Sequence, residues 1–189
     1  MCNFQIKMNK ISILNIVQDT TVDGPGFRTS IYAAGCIHRC KECHNPQSWD
    51  INNGREYTIG TLFDIIKESE ISDVTFTGGD PFMQVDVFTE LAKRIKKDTN
   101  KTIWCYTGYQ YEDILKSDKL SQILPFIDIL VDGRFVQVLK DESLQFRGSS
   151  NQRIIDIPES LKENKVIHWG YFHVKNIPVF NLSHVTFVK

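Results

Sequence analysis

The sequence has no surplus of charge of either sign. Its 22 basic and 23 acidic residues give a net charge of -1 at neutral pH. Proteins that bind nucleic acids usually carry a strongly basic surface that contacts phosphates. A basic cluster at positions 93–97 falls at the end of an amphipathic helical pattern, where cations face solvent and complement the helix dipole. We therefore expect no nucleic-acid partner.

Long apolar runs are also missing. No stretch approaches the roughly 18 apolar residues that a membrane-spanning helix needs, and the start MCNFQIKMNK lacks the apolar segment of a secretory signal peptide. We therefore expect a cytoplasmic protein with no membrane partner. The 189 residues suffice for one domain with its own apolar core.

Cysteine is scarce, but three of the five cysteines lie within eight residues: Cys36, Cys40 and Cys43. In a reducing compartment, clustered cysteines indicate metal or redox chemistry rather than disulfides. Cys2 lies close to the start of the sequence, and Cys105 lies in an apolar run that is typical of a buried structural thiol. Neither is predicted to be a ligand.

Hydrophobic periodicity predicts strands that alternate with helices. Helices are expected after a capping Thr58, after Pro81, and over 111–124 as one helix or two short ones. Strands are expected over 11–17, 28–34, 73–77, 102–108 and 127–133. This order predicts an α/β domain with a mostly parallel sheet, either open or curled into a barrel, and such sheets place their chemistry at the carboxyl ends of the strands. Beyond Pro158, small strands or hairpins are expected in KVIHWG, YFHV and SHVTFVK.

The spacing C-x3-C-x2-C allows three thiolates to reach one inorganic cluster from one side. An iron-sulfur cluster that only carries electrons normally takes four thiolates, and an open coordination position distinguishes catalytic from structural metal sites. The alternative is a structural zinc site that His38 or His44 completes. Zinc loops more often come as two separated C-x2-C pairs, so the spacing favours a cluster with one open position.

A second feature is TGGDP, which follows the predicted strand over 73–77. Glycines at the end of a strand let a ligand approach bare backbone, which offers carbonyls to an ammonium group and amides to a carboxylate. A glycine pair alone is more often a turn. Its position after the cysteine loop makes it a candidate binding element.

Together, C-x3-C-x2-C and TGGDP resemble the radical S-adenosylmethionine enzymes. The upstream DGPGFR is similar to the motif of the members that activate glycyl-radical enzymes. CYTGY and the segment VDGRFVQVLKDESLQFRGSSNQ resemble the activating proteins of anaerobic (class III) ribonucleoside-triphosphate reductases, and the latter segment is the most specific part. This resemblance covers residues 13–156 and implies a partial (β/α) barrel, with a radical S-adenosylmethionine domain over 1–158.

The resemblance also implies a chemistry and a set of partners. A [4Fe-4S] cluster would bind S-adenosylmethionine at its open iron and cleave it reductively, and the 5'-deoxyadenosyl radical would generate a glycyl radical on the anaerobic reductase. A flavodoxin-like protein or another low-potential donor would supply the electron. The cluster ligands would be Cys36, Cys40 and Cys43, and S-adenosylmethionine would contact Glu42, Cys43, His44, Gly78, Gly79 and Asp80.

The resemblance also suggests which residues lie against the adenine and which lie near the mouth of the site. Glu42 stands where many members of the superfamily have an aromatic residue against the adenine, and His44 stands where relatives often have an aromatic ring that would stack on it. Asp23 and Arg28 would lie near the mouth of the site, where the glycine loop of the reductase enters.

The C-terminal extension over 159–189 has no counterpart in this resemblance. Its histidines, His168, His173 and His184, are interpreted as hairpin residues because no cysteine or carboxylate cluster accompanies them. Two other functions stay open from sequence alone. One is a different small radical S-adenosylmethionine enzyme, and the other is a zinc-stabilised binding module without catalysis.

Overall fold

A computed structural model describes residues 10–170. In this part of the chain, seven strands form one sheet and five helices accompany it. The strands are β1 (Lys10–Thr20), β2 (Arg28–Ala33), β3 (Arg55–Thr58), β4 (Asp73–Gly78), β5 (Ile103–Tyr106), β6 (Ile129–Asp132) and β7 (Arg153–Asp156). The helices are α1 (Ile59–Glu68), α2 (Val85–Asp98), α3 (Tyr111–Leu115), α4 (Asp118–Ser121) and α5 (Ile157–Glu163).

The sheet has the order β3-β1-β2-β4-β5-β6-β7, and its pairings are mixed. β2, β4, β5 and β6 are parallel neighbours, whereas β1 is antiparallel to β2 and β3, and β7 is antiparallel to β6. The prediction of a mostly parallel sheet is therefore wrong, and the predicted partial barrel is not confirmed. The physical reason lies in the connections: residues 21–27 between β1 and β2 are too few for a crossover, which needs about a dozen residues or more.

Both long helices form as their sequences predict. The Thr58 side chain accepts a hydrogen bond from the Thr61 amide and caps α1, which buries Leu62 and Ile66 on one face. Pro81 begins a short 3-10 turn rather than the helix itself, and α2 starts at Val85. The segment 111–124 contains two short helices, α3 and α4.

The apolar side chains form two clusters. The larger one contains the buried faces of α1 and α2, together with Ile31, Phe76 and Leu130 from the parallel strands. Cys105 is fully buried in this cluster, as expected for a structural thiol, and burial raises its pKa well above the usual value. A smaller cluster gathers around Trp104, Ile129 and Val131.

Arg28 lies beside the smaller cluster and is buried. Its guanidinium donates hydrogen bonds to the Thr75 hydroxyl at 2.6 Å and to the Val74 carbonyl at 2.5 Å, and it lies over the Trp104 ring. Burial lowers its pKa to about 10, against opposing interactions led by Asp73. Arg28 therefore does not lie at the mouth of a site as the resemblance implied. It is an internal residue that joins β2 to β4.

The C-terminal part of the described chain contains a helix, α5, that periodicity missed. Asp156 caps it and Pro158 occupies its first turn, a position that suits proline. The predicted domain boundary at residue 158 falls inside α5 and stays a prediction. From KVIHWG, His168 forms an isolated bridge with Ile155, whereas YFHV, SHVTFVK, Cys2, His173 and His184 lie outside the described residues. Each helix of residues 10–170 is too short or too polar to span a bilayer.

Candidate functional site

A cavity of about 780 Å³ opens where the parallel strands end. It is lined by the loops that follow four neighbouring strands, β2, β4, β5 and β6, and by residues of β1 and of the turn that follows it. Binding sites form at this edge of open α/β sheets because the loops after neighbouring strands face one another there. The cavity-lining residues that carry chemistry are Asp23, Tyr32, Cys36, His38, Cys40, Cys43, His44, Gly78, Gly79, Thr107 and Arg134.

All three clustered cysteines line this cavity, and each is a partly exposed free thiol. The cysteine loop, residues 36–43, is fixed at its start by hydrogen bonds from the Gly35 amide to the Ser48 carbonyl at 2.7 Å and from the Cys36 amide to the Trp49 carbonyl at 3.1 Å. Arg39 and Glu42 adopt positive φ angles of 44° and 57°. These left-handed residues turn the chain tightly between the cysteines, so that its thiols share one side.

Burial raises the pKa of the Cys36 and Cys40 thiols above the usual value. Backbone amides partly oppose this effect: those of His38 and Arg39 act on Cys36, and that of Phe135 acts on Cys40. The Asn45 amide also donates to the Cys43 sulfur at 3.4 Å. The Asn45 amide can therefore stabilise the Cys43 thiolate once a metal binds it.

The donor set fits an iron-sulfur cluster. Within residues 10–170, no three His, Cys, Asp or Glu side chains are grouped closely enough to hold one metal ion. A cubane cluster attaches each thiolate to a different iron, so its ligands need access to a shared cavity rather than to a single point. Cys36, Cys40 and Cys43 meet that requirement.

The two histidines that could complete a zinc site lie in different surroundings. His38 is buried, and its Nε2 lies 2.6 Å from the Asp80 carboxylate, so that nitrogen already has a partner. His44 is exposed at the cavity. Both histidines line the cavity, but His44 is the more exposed of the two and has no contact of its ring with Asp80.

Gly78 and Gly79 lie so close to the backbone at the end of β2 and just before the cysteine loop that a Cβ at either position would clash. Gly78 has a φ of +97°, and a Cβ there would lie 2.7 Å from the Ala33 nitrogen. A Cβ on Gly79 would lie 2.5 Å from the Gly35 carbonyl oxygen. The amides of Gly79 and Asp80 donate to the carbonyls of Ala33 and Gly35, both at 2.8 Å. The glycine turn is therefore hydrogen-bonded to the residues that lead into the cysteine loop.

Asp80 is buried beneath the cavity and is not one of its lining residues. Its carboxylate accepts hydrogen bonds from the Phe82 and Gly108 amides and from the Thr107 hydroxyl, besides its contact with His38. One carboxylate thus joins the loops after β2, β4 and β5. The sequence analysis treated His38 as a possible zinc ligand and did not predict its contact with Asp80. The indication in the sequence was the position of His38 between two cysteines.

The remaining predicted residues are placed as follows. Glu42 is exposed on the cysteine loop and does not line the cavity, whereas His44, Gly78 and Gly79 do. Asp23 lines the cavity, as the resemblance implied, and accepts a hydrogen bond from the Tyr32 hydroxyl at 2.5 Å. Burial, together with the Asp23 carboxylate, raises the pKa of Tyr32.

Sequence reasoning assigned no role to the loop after β6, yet Gly133, Arg134 and Phe135 form one wall of the cavity. The indication in the sequence was the VDGRFVQ segment, which belongs to the most specific part of the family resemblance. Gly133 has a φ of +93°, so a glycine is favoured where the chain leaves β6 and turns along the cavity.

Comparison with known proteins finds a matching family model and several relatives. Residues 22–155 match a family model described as a 4Fe-4S single cluster domain. The chain is 37% identical over 141 residues to the anaerobic ribonucleoside-triphosphate reductase-activating protein of Vibrio cholerae serotype O1, covering 70% of this chain and 90% of that protein. The protein of the same name from Escherichia coli K12 is 37% identical, covering 69% and 89%. That of Enterobacteria phage T4 is 34% identical over 139 residues, covering 70% and 86%.

Proposed function

Because the chain belongs to the family of anaerobic ribonucleoside-triphosphate reductase-activating proteins and contains a 4Fe-4S single cluster domain, we propose that it activates an anaerobic ribonucleoside-triphosphate reductase by radical S-adenosylmethionine chemistry. The observation that carries this proposal is the meeting of three free cysteines and a glycine turn at one cavity. Three protein thiolates leave one iron of a cubane cluster without a protein sulfur. A substrate with amino and carboxylate groups has access to that position.

A bound cluster would supply one electron to the sulfonium of S-adenosylmethionine, which would give methionine and a 5'-deoxyadenosyl radical, and this radical would take a hydrogen atom from a backbone glycine of the reductase. A flavodoxin-like protein, or another low-potential donor, would restore the electron. We propose that this donor acts on the protein in the cytoplasm.

The residues of this chain bind and orient. Cys36, Cys40 and Cys43 would hold the cluster, and the backbone of Gly78 and Gly79 would receive the methionyl amino group. His44 is exposed at the cavity, where its ring would stack on the adenine. The resemblance also implied contacts of Glu42 and Asp80 with S-adenosylmethionine. Glu42 is exposed on the cysteine loop and does not line the cavity. The buried Asp80 carboxylate already contacts three loops, which favours an indirect role for this residue.

Anaerobic purification followed by iron, sulfide and zinc analysis tests the first part of this proposal. We expect about four irons and four sulfides per chain, as a [4Fe-4S] cluster requires. Zinc in place of iron would overturn the radical mechanism and favour a binding module.

The second part is tested by incubating the reduced protein with S-adenosylmethionine and a class III reductase, with electron paramagnetic resonance as the readout. We expect a glycyl radical on the reductase together with the release of methionine. Methionine release without a glycyl radical would indicate a radical S-adenosylmethionine enzyme with a different substrate.

A further inference from the structure

Arg28 holds the turn that precedes it, residues 21–27, which we call the β1–β2 turn. Its guanidinium donates through Nη1 to the Pro25 carbonyl at 3.3 Å and through Nε to the Thr75 hydroxyl at 2.6 Å. The Thr75 hydroxyl in turn donates to the Asp23 carbonyl at 2.9 Å. Both Arg28 and Thr75 are buried. The turn is therefore tied to β4 through one buried arginine and one buried threonine.

Gly24 lets the β1–β2 turn lie directly on this arginine. Its φ is +139°, a backbone conformation that favours glycine. A Cβ at this position would lie 2.7 Å from the Arg28 Cδ and 3.3 Å from the Trp104 ring. Because both neighbours are themselves buried, a side chain here would push the turn away from Arg28. The first glycine and the arginine of DGPGFR thus pack as one unit.

The turn brings the Asp23 side chain to the cavity. Asp23 and Tyr32 both line it, and the Tyr32 hydroxyl donates to Asp23 Oδ2 at 2.5 Å. Within residues 10–170, the second carboxylate oxygen, Oδ1, accepts no hydrogen bond, so it is available to a donor on a molecule in the cavity. Arg28 and Thr75 are not lining residues. They therefore act on the cavity through the turn.

The proposed reaction brings two reactants into this cavity. The cysteine loop follows β2 whereas the β1–β2 turn precedes it, so the two reach the cavity from opposite ends of this strand. The six residues of β2 span about 17 Å. In the proposed function, the cysteine end is taken by the cluster and S-adenosylmethionine. The turn also presents Val22 and Phe27 to solvent, so it borders both the cavity and the surface from which a protein partner would enter.

We propose that Arg28 and Thr75 are positioning residues for the reductase. They hold the β1–β2 turn so that the Asp23 carboxylate faces the glycine segment of the reductase, while S-adenosylmethionine binds at the cysteine end of the cavity. The inference rests on the proposed function, because it needs the reductase as the second reactant. It gives a role to the buried arginine of DGPGFR, which contacts neither the cavity nor the cysteine loop.

Thr75→Val tests the inference, because it removes the hydroxyl that joins Arg28 to the turn and keeps a side chain of similar size. The reconstituted variant is assayed for glycyl-radical formation on a class III reductase by electron paramagnetic resonance. We expect the KM for the reductase to rise roughly threefold to tenfold, as for the loss of one hydrogen bond. The iron content and the KM for S-adenosylmethionine should stay near those of the wild type. Thr75→Ser keeps the hydroxyl and should restore the KM for the reductase.

Thr89→Val is the matched control. Thr89 is also fully buried and its hydroxyl donates to the Val85 carbonyl at 2.7 Å, but it lies in α2 and is not a lining residue, so both KM values should be unchanged. Tyr32→Phe removes the other hydrogen bond to Asp23 and should also raise the KM for the reductase.

Two results would overturn the inference: an unchanged KM for the reductase in Thr75→Val, or equal rises in the KM values for the reductase and for S-adenosylmethionine. The second result would show that the threonine only stabilises the site as a whole. A wild-type protein that releases methionine without forming a glycyl radical would instead refute the proposed function.

Discussion

The Nε2 of His38 lies 2.6 Å from the carboxylate of Asp80, and both side chains are almost completely buried. His38 lies between the first two cysteines of the loop, and Asp80 directly follows the glycine turn. This contact therefore fixes the middle of the cluster loop relative to the turn proposed to bind S-adenosylmethionine, in addition to the backbone hydrogen bonds at the start of the loop. Because the carboxylate also binds the backbone and hydroxyl after β5, a displacement of Asp80 would affect three loops together.

Replacement of Asp80 by alanine is expected to destabilise the protein and weaken the cluster site. The change leaves the donors of Phe82, Thr107 and Gly108 buried without their acceptor, so we expect a loss of about 2–4 kcal/mol in the free energy of unfolding. Urea denaturation of the metal-free protein measures this loss. Asp64→Ala, on the exposed side of α1, is the control and should change stability by less than about 0.5 kcal/mol.

His38→Phe separates the positioning role from a ligand role. The ring can stay packed on Tyr109, whose centroid lies 4.8 Å away, but the contact with Asp80 is lost. If His38 positions the loop, the variant should keep iron at a ratio near that of the wild type while its KM for S-adenosylmethionine rises. A complete loss of metal would instead indicate that His38 is a ligand.

Cys40→Ala and Cys105→Ala should have opposite results. Cys40 lines the cavity with the other two clustered cysteines, whereas Cys105 is buried in the larger apolar cluster. We expect Cys40→Ala to lose the cluster absorption and the cleavage of S-adenosylmethionine, and Cys105→Ala to retain both. Equal loss in the two variants would show that the ligands are assigned incorrectly.

Gly79→Ala should impair the site through backbone displacement. The added Cβ would lie 2.5 Å from the Gly35 carbonyl oxygen and 3.0 Å from that of Ser48, and backbone atoms cannot yield as a flexible side chain can. We expect a loss of roughly 1–3 kcal/mol in stability and weaker binding of S-adenosylmethionine, measured by equilibrium dialysis. Gly60→Ala in α1 is the control, because the nearest atom to its added Cβ would be the Thr58 hydroxyl at 3.6 Å and its φ is not positive.

Much of the fold and site was predictable where the local sequence determines the structure. The Thr58 cap, the apolar stripe of α2 and the grouping of the three cysteines all depend on residues close together in the chain. The sequence did not predict that β1 is antiparallel to β2 and β3, or that β7 is antiparallel to β6. Periodicity shows which residues face the core, and not which strand is the neighbour. The burial of Arg28 was missed for a related reason, since its partners Thr75 and Trp104 lie on other strands.

Arg153 links the end of β6 to α3, and its ion pairs should make stability depend on pH. Its guanidinium binds the buried carboxylate of Asp132 and, at 2.7 Å, that of Glu112. Hydrogen bonding from Arg153 lowers the pKa of Glu112 from 4.5 to about 2. A carboxylate whose pKa is lower in the folded state stabilises the fold at pH values above its unfolded pKa, and this contribution is lost as the pH falls towards the folded value.

The change that tests this pH dependence is Glu112→Gln. Because Glu112 is half exposed, solvent screening limits its contribution to at most about 1 kcal/mol. At pH 7 the wild type should be the more stable protein by up to that amount, and the difference should shrink steadily between about pH 5 and pH 2.5. Urea denaturation at a series of pH values measures it, with Glu70→Gln as a control that removes an exposed carboxylate outside this network. A difference that is constant with pH would mean that the Glu112 carboxylate is not stabilised by Arg153, and that Asp132 and Gln110 hold this arginine without it.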